Sequence, residues 1–263
     1  MLVILADSIR IGYDETGQGE PLLLIMGLGA DRTLWEDHVA CWQQSYRCIL
    51  MDNRGAGESD CPPGPYTTQQ MAQDALGLLD GLGVDSAHVA GISMGGAVAQ
   101  EMALQQPESV RSLVLISSWA RLGCYGRAVF EMLARMRAVA SPSAFAQLLQ
   151  LWIYAPPHYD AQLEELVQGQ RDAEENPMPL AAFAAQCRAC ADHDTLDRLE
   201  RIGIPTLITA GEADIFTPID LAWAMDARLP ESTVATFPGC GHVHHWEDLD
   251  RFNRTVHEFL LSH

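Results

Sequence analysis

Residues 88–103 read HVAGISMGGAVAQEMA, a short apolar run, an abrupt turn, and a row of small, helix-favouring residues. The turn holds Ser93 between Gly91 and Gly95, a G-x-S-x-G pattern. A strand that reverses into a helix through one serine leaves little freedom. Glycines are needed where any Cβ would meet the neighbouring strand and helix, and the serine at the apex is exposed at the carboxyl end of a sheet. Gly96, Ala97 and Ala99 extend the same logic, because small residues let the helix lie close on the sheet.

The flanking sequence supplies a sheet of that kind. Strand-like runs at Ser8–Asp14, Leu22–Met26, Arg47–Met51, His88–Ile92 and Ser112–Ser117 alternate with helical patterns at Asp31–Gln44, in the seventies and at Ala97–Gln105. Met1–Leu5 reads as the beginning of a first strand. Thr67 and Gln70 have capping-box spacing, with Met71, Ala75, Leu78, Leu79 and Leu82 at helical intervals behind them and Gly83 as the stop. Alternating strands and helices imply parallel pairing with helices on both faces. Between Arg121 and Glu200 the rhythm breaks. This stretch is rich in Ala, Leu, Gln and Met, is punctuated by prolines, and predicts three or four helices and no strands. Alternation resumes with a strand at Pro205–Ala210, a helix at Ile219–Leu229, a strand at Thr233–Phe237 and a final helix from about Glu247. The expected architecture is a doubly wound, mostly parallel α/β core over residues 1–119 and 201–263, with an all-helical cap inserted at 120–200.

A serine hydroxyl needs a base to take its proton. For this motif the base follows the last strand and the acid precedes it in the chain. His242, after Gly241 in a loop behind the last predicted strand, fits the base. Asp214, in the loop after Pro205–Ala210 and four residues before Pro218, fits the acid. Glu212 is the weaker rival. The preceding core strand ends at Ser117-Ser118-Trp119 and offers no carboxylate. Two backbone N–H groups would hold an oxyanion, one from Met94 and one from Leu28 in the Gly27–Ala30 loop. Asp52 and Arg54 are expected to tie down the loop behind their own strand.

These pieces — LLLIMGLG, DNRGAGES, GISMGG, PTLITAGEAD and GCGH — resemble α/β-hydrolase fold proteins over almost the full length of the chain. Within that superfamily the chain is similar to the compact capped hydrolases typified by 3-oxoadipate enol-lactonases and aminoacrylate hydrolases. The resemblance implies a small carbonyl substrate held under a helical cap. Many relatives carry His-Gly before the oxyanion loop, where this chain has Met26-Gly27, so any contact from that histidine is lost.

The insertion is expected to lie over Ser93, with Trp119, Phe130, Trp152, Tyr154, Phe183 and Phe216 as candidates for an apolar pocket, each also suited to packing between cap and core, and Arg121 as either a carboxylate contact at the rim or a solvated cap residue. Ester or lactone hydrolysis fits best. Thioester hydrolysis is close behind, and carbon–carbon hydrolysis of a dienoate-type ketone uses the same constellation. Outside enzymology, the fold also serves as a ligand-binding receptor.

No phosphate loop or G-x-G-x-x-G follows a strand, so no cofactor is expected. No metal is expected either: His244 and His245 after His242 read as two solvated bystanders before a helix. A net charge of −19 argues against a nucleic-acid partner. The seven scattered cysteines do not form a disulfide framework, and Cys187 and Cys190 read as small residues on one helix face. No apolar run is long enough to span a bilayer, and Met1–Leu5 lacks the features of a signal peptide, so a cytoplasmic location is expected. Oligomeric state, a homodimer included, is left open.

Overall fold

The computed structural model describes residues 1–5 and 8–263. Its sheet has eight strands: β1 (Leu2–Ile4), β2 (Arg10–Thr16), β3 (Glu20–Ile25), β4 (Tyr46–Met51), β5 (Ala87–Ile92), β6 (Val110–Ile116), β7 (Thr206–Gly211) and β8 (Ser232–Phe237). They lie in the order β1-β2-β4-β3-β5-β6-β7-β8. The β1–β2 and β2–β4 pairs are antiparallel and every other pair is parallel.

The helices of the core are α1 (Glu36–Trp42), α2 (Thr68–Gly81) and α3 (Met94–Gln105). The insertion holds α4 (Cys124–Val139), α5 (Pro142–Ile153), α6 (Pro156–Ala161), α7 (Leu163–Glu175) and α8 (Leu180–Asp192). The chain closes with α9 (Asp220–Asp226), α10 (His244–Glu247) and α11 (Leu249–Leu261).

Side chains alternate across a strand, so a sheet covered on both faces needs nearly continuous apolar runs. On β3, Leu22 and Leu24 pack with Trp35, Trp42, Phe252 and Val256 from the side of α1 and α11. Leu23 and Ile25 join the opposite core with Met71, Leu78, Val98 and Met225 from α2, α3 and α9. Every residue of β5 and of β7 is buried. The Thr67 side chain accepts the Gln70 N–H at 3.1 Å and so starts α2, and Gly83, at φ +65°, takes the left-handed turn that follows it.

Three details differ from the sequence reading. The insertion holds five helices among the described residues, because Ala155 before Pro156 and Gln162 break the periodic stretch into α5, α6 and α7. The residue before a proline is pushed out of the helical region, and Ala155 sits at φ −67°, ψ 141°. Among the described residues an isolated β-bridge, Arg121 to Asp194, also pinches the insertion at its base. The last helix is interrupted at Asp248, whose non-helical backbone, at φ −132° and ψ 59°, separates α10 from α11. Finally, Asp31–Gln44 begins with a 3-10 turn at Arg32–Trp35, started by the Asp31 carboxylate accepting the Thr33 N–H.

Candidate active site

Ser93 stands between β5 and α3 at φ +54°, ψ −112°, a region that L-residues rarely enter. The surroundings hold it there. Its N–H donates to Ile116 O at 2.7 Å, and its own carbonyl accepts the Ser118 hydroxyl at 2.9 Å. A Cβ on Gly91 would come within 2.3 Å of the Gly95 backbone, and one on Gly95 within 2.2 Å of Ile25 O. Glycine inside a helix costs about 1 kcal/mol against alanine. That penalty is smaller than the clash it avoids, so close packing decides the residue. Met94 opens α3, and its N–H is one of the orphan donors of a helix's first turn.

Asp214 and His242 meet from the ends of β7 and β8. Asp214 Oδ2 lies 2.8 Å from His242 Nδ1. The other carboxylate oxygen accepts the backbone N–H groups of Phe216 at 2.7 Å and Thr217 at 2.8 Å. The Thr217 hydroxyl donates to Oδ2 at 2.7 Å and lies 2.9 Å from His242 Nδ1. Burial pushes the Asp214 carboxyl up, but the His242 charge and hydrogen bond, with the Thr217 contacts, outweigh it and hold the group below the usual carboxylate range. Thr217 was not singled out in the sequence. The available signal is the Asp-x-x-Thr-Pro spacing, since an aspartate often accepts the amides two and three residues on. Glu212 faces away and accepts the Thr236 hydroxyl at 2.8 Å.

The expectation that His244 and His245 are solvated is corrected: both are fully buried. Serine and threonine hydroxyls at the ends of β6 and β7 satisfy His244, with Ser117 Oγ 3.1 Å from Nδ1 and Thr209 Oγ1 2.9 Å from Nε2. Ser117 also donates to His242 O at 2.6 Å, which fixes the loop backbone. His245 Nδ1 lies 3.0 Å from His38 Nε2, and His38 Nδ1 lies 2.8 Å from Asn253 Oδ1. His245 Nε2 is buried without a hydrogen-bond partner among the described residues. Burial pushes His38 down to about 4 and His244 down to about 3, and His245 well below its ordinary value.

Ser93 and His242 line one cavity of about 230 Å³, walled by Met26, Leu28, Leu34, Leu149, Ile153, Phe216, Val243, His245 and Trp246 among others. Phe216 stacks edge-on against His242 with ring centroids 4.8 Å apart. Of the six aromatics expected in the pocket, Phe216 lines this cavity. Phe183 lines an adjoining lobe of about 420 Å³, together with Arg137 and Asp172. Tyr154 lines an outer groove that shares Leu34, Ile153 and Trp246 with the Ser93 cavity. Trp119 and Phe130 pack on each other with centroids 5.2 Å apart, buried beneath the site, and Trp152 packs against the core from the insertion. The walls are instead largely aliphatic. A helical period shows that α5 has an apolar face, but not which residues of that face meet the serine.

Of the two roles expected for Arg121, its surroundings favour the cap. Its guanidinium is held by Asp194 at 2.7 Å and by Asp197, at the base of the insertion.

The loop bearing Leu28 is anchored at two points, one of them through Gln186 to a neighbouring loop. Asn53 donates to Met26 O at 2.9 Å, Gln186 of α8 accepts the Gly29 N–H at 3.0 Å, and Gln186 donates in turn to Arg54 O at 2.9 Å. Asp52 accepts the N–H groups of Arg32 and Glu58, each at 2.8 Å, and pairs with the Arg32 guanidinium. Arg54 meets Asp74 through two bonds of 2.6 Å. Both pairs tie down their loop.

The sequence model of the alpha/beta hydrolase fold family matches residues 20–249. A 2-hydroxy-6-oxo-6-phenylhexa-2,4-dienoate hydrolase of Comamonas testosteroni is 32% identical over 270 residues, covering 95% of this chain and 91% of its own length. The 3-oxoadipate enol-lactonase 2 of Acinetobacter baylyi is 28% identical over 258 residues, covering 95% and 93%. Among solved structures, a hydrolase from Pseudomonas aeruginosa PA01 superposes with a TM-score of 0.90 at 30% identity, covering 99% of this chain and 97% of that one.

Proposed function

The chain belongs to the alpha/beta hydrolase fold family, and on that premise we propose that it is a serine hydrolase of small, uncharged, largely apolar esters or lactones. One observation carries this reading. The strained Ser93 and the Asp214-paired His242 open into the same small, mostly aliphatic cavity. Residues 120–200 act as the cap over that cavity, to which Leu149 and Ile153 of α5 contribute walls.

In the mechanism, Ser93 Oγ attacks the substrate carbonyl carbon and its proton passes to His242 Nε2. The carbonyl π electrons move onto oxygen, where the Leu28 and Met94 N–H groups stabilise the charge. Collapse of the tetrahedral adduct breaks the carbon–oxygen bond, and the imidazolium protonates the leaving alkoxide. In a lactone that alkoxide stays tethered to the acyl group. Water then repeats the sequence: His242 takes its proton, hydroxide adds to the acyl-enzyme, and Ser93 leaves with the proton returned. Asp214 fixes Nδ1–H as the donor and stabilises the imidazolium, a role suited to a carboxylate that stays ionised.

Carbon–carbon hydrolysis of a dienoate is the second reading, favoured by the 32% identity to the Comamonas enzyme. Against it, the described residues that line the Ser93 cavity include no lysine or arginine to receive a dienoate's carboxylate; Arg137 lines the adjoining lobe, where it donates to Met178 O at 3.3 Å. The test is steady-state turnover of esters, lactones, thioesters and a dienoate ketone, graded by acyl length, with Ser93→Ala as control. Short neutral esters or lactones are expected to have the highest kcat/KM. A preference for the dienoate would install the second reading, and turnover that survives Ser93→Ala would remove the serine mechanism.

A further inference from the structure

Away from the cavity, three metal-ligating side chains from different elements converge where the insertion touches the His242 loop. Cys240 Sγ lies 3.9 Å from His158 Nε2. With a carboxylate oxygen of Glu247, all three donor atoms fall within 4.8 Å of one another. His158 belongs to α6, Cys240 to the loop two residues before His242, and Glu247 to α10. We propose that His158, Cys240 and Glu247 form a binding site for a thiophilic divalent cation, with zinc as the best match, that fastens the insertion to the loop carrying His242.

The donor set selects the metal. Thiolate and imidazole suit zinc, whereas magnesium and calcium take oxygen donors. Zinc bonds of about 2.0–2.3 Å place tetrahedral ligands roughly 3.3–3.8 Å apart. The sulfur–nitrogen separation is already close to that, and the carboxylate has about an ångström to close. The carboxylate is also oriented. One oxygen accepts the Ala155 N–H at 2.7 Å and the other accepts the Gly241 N–H. A carboxylate has about four lone-pair sites, so each oxygen retains one for a metal.

The local field has the right sign. Burial, followed by the Glu247 and Asp248 charges and opposed by the charge of Arg251, pushes the Cys240 thiol up to about 11. The carboxylates that disfavour a bare thiolate favour a dication, and a thiol that coordinates zinc is deprotonated outright. Binding forms one Zn–S, one Zn–N and one Zn–O bond. The thiol proton goes to buffer, water takes the fourth position, and no electron is transferred. His158 and Glu247 are only half-buried, which leaves an entry path. The insertion and the loop already touch through Val243 N–H to Ile153 O at 3.3 Å and through the Ala155–Glu247 bond. An ion would add three strong bonds across the same seam. The proposal does not depend on the catalytic reading.

The test is titration of reduced protein with cobalt(II) and then zinc, in a background where the exposed Cys41, Cys61 and Cys124 are serine. One equivalent of cobalt should produce a thiolate-to-cobalt charge-transfer absorption that one equivalent of zinc abolishes. Cys240→Ser should remove the absorption, and His158→Ala should weaken zinc binding at least tenfold, about 1.4 kcal/mol. Zinc should raise the melting temperature of the background protein and leave that of His158→Ala unchanged. An absorption that persists in Cys240→Ser, zinc affinity unchanged in His158→Ala, or no binding at about 100 μM zinc would overturn the proposal. Glu247 would then be only a hydrogen-bonded staple. Should Cys240→Ser fail to fold, the half-buried His158→Ala decides alone.

Discussion

Asp214 and Glu212 stand two residues apart on one loop, and their surroundings separate them. Asp214 is buried against His242 and Thr217, and Glu212 is exposed beside Thr236. Asp214→Asn keeps the shape but favours the wrong imidazole tautomer, so a loss on the order of 10⁴ in turnover is expected, as for the analogous change in serine proteases. Glu212→Gln should cost less than tenfold, about 1.4 kcal/mol of barrier. Steady-state assays of both variants, with folding checked by circular dichroism, decide the assignment, and a crippled, well-folded Glu212→Gln would move the acid role to that residue. The sequence carried Ser93, Asp214 and His242 as far as strand ends, and the structure finds them at the ends of β5, β7 and β8. Their catalytic roles belong to the proposal. The surroundings of His244 and His245 were not legible. HVHH is a polar string, and its burial is decided by Ser117, Thr209 and His38, which come from distant parts of the chain.

At the scale of elements, the strand–turn–helix unit of β5 and α3 has no room for a Cβ. Gly95→Ala would place a methyl group 2.2 Å from Ile25 O, a backbone atom that cannot yield without moving β3. Gain of helix propensity is worth about 1 kcal/mol, so the change should still be destabilising, by roughly 3 kcal/mol or more given the overlap. Urea denaturation reads this directly, and unchanged or raised stability would mean that the turn is looser than described. The succession of strands along the chain and the interruption of the alternation were legible because buried strands are short apolar runs and the insertion has few β-branched residues; the order of the strands within the sheet was not, because pairing joins runs far apart in the chain. The number of helices in the insertion was less so. Prolines mark where a helix starts, and the break at Gln162 has no such mark.

For the whole molecule, five buried histidines set the acid limit, and one of them, His88, is held below its ordinary value by burial. Burial holds His38 at about 4, His193 and His244 at about 3, and His245 well below its ordinary value, while in the unfolded chain each titrates near 6.5. Below pH 6.5 the unfolded state therefore binds more protons than the folded one. Their contribution to stability is complete well above that pH and is lost as pH falls toward the folded values. Each histidine removes about 1.4 kcal/mol per pH unit in that window. Chemical denaturation at pH 8, 6.5 and 5 should show a loss on the order of 2 kcal/mol over the first interval and a several-fold larger loss over the second. A flat profile down to pH 5 would mean that these rings are charged or exposed when folded.

The central claim is that Ser93 is a nucleophile activated by His242. Reaction with a fluorophosphonate, followed by intact-mass and peptide mass spectrometry, tests it most directly, because only an activated serine reacts quickly. Wild-type protein should gain one adduct, mapped to Ser93, within minutes. Ser93→Ala should gain none, and His242→Ala should react far more slowly. Stoichiometric labelling that persists in Ser93→Ala, or equal rates in wild type and His242→Ala, would contradict the account.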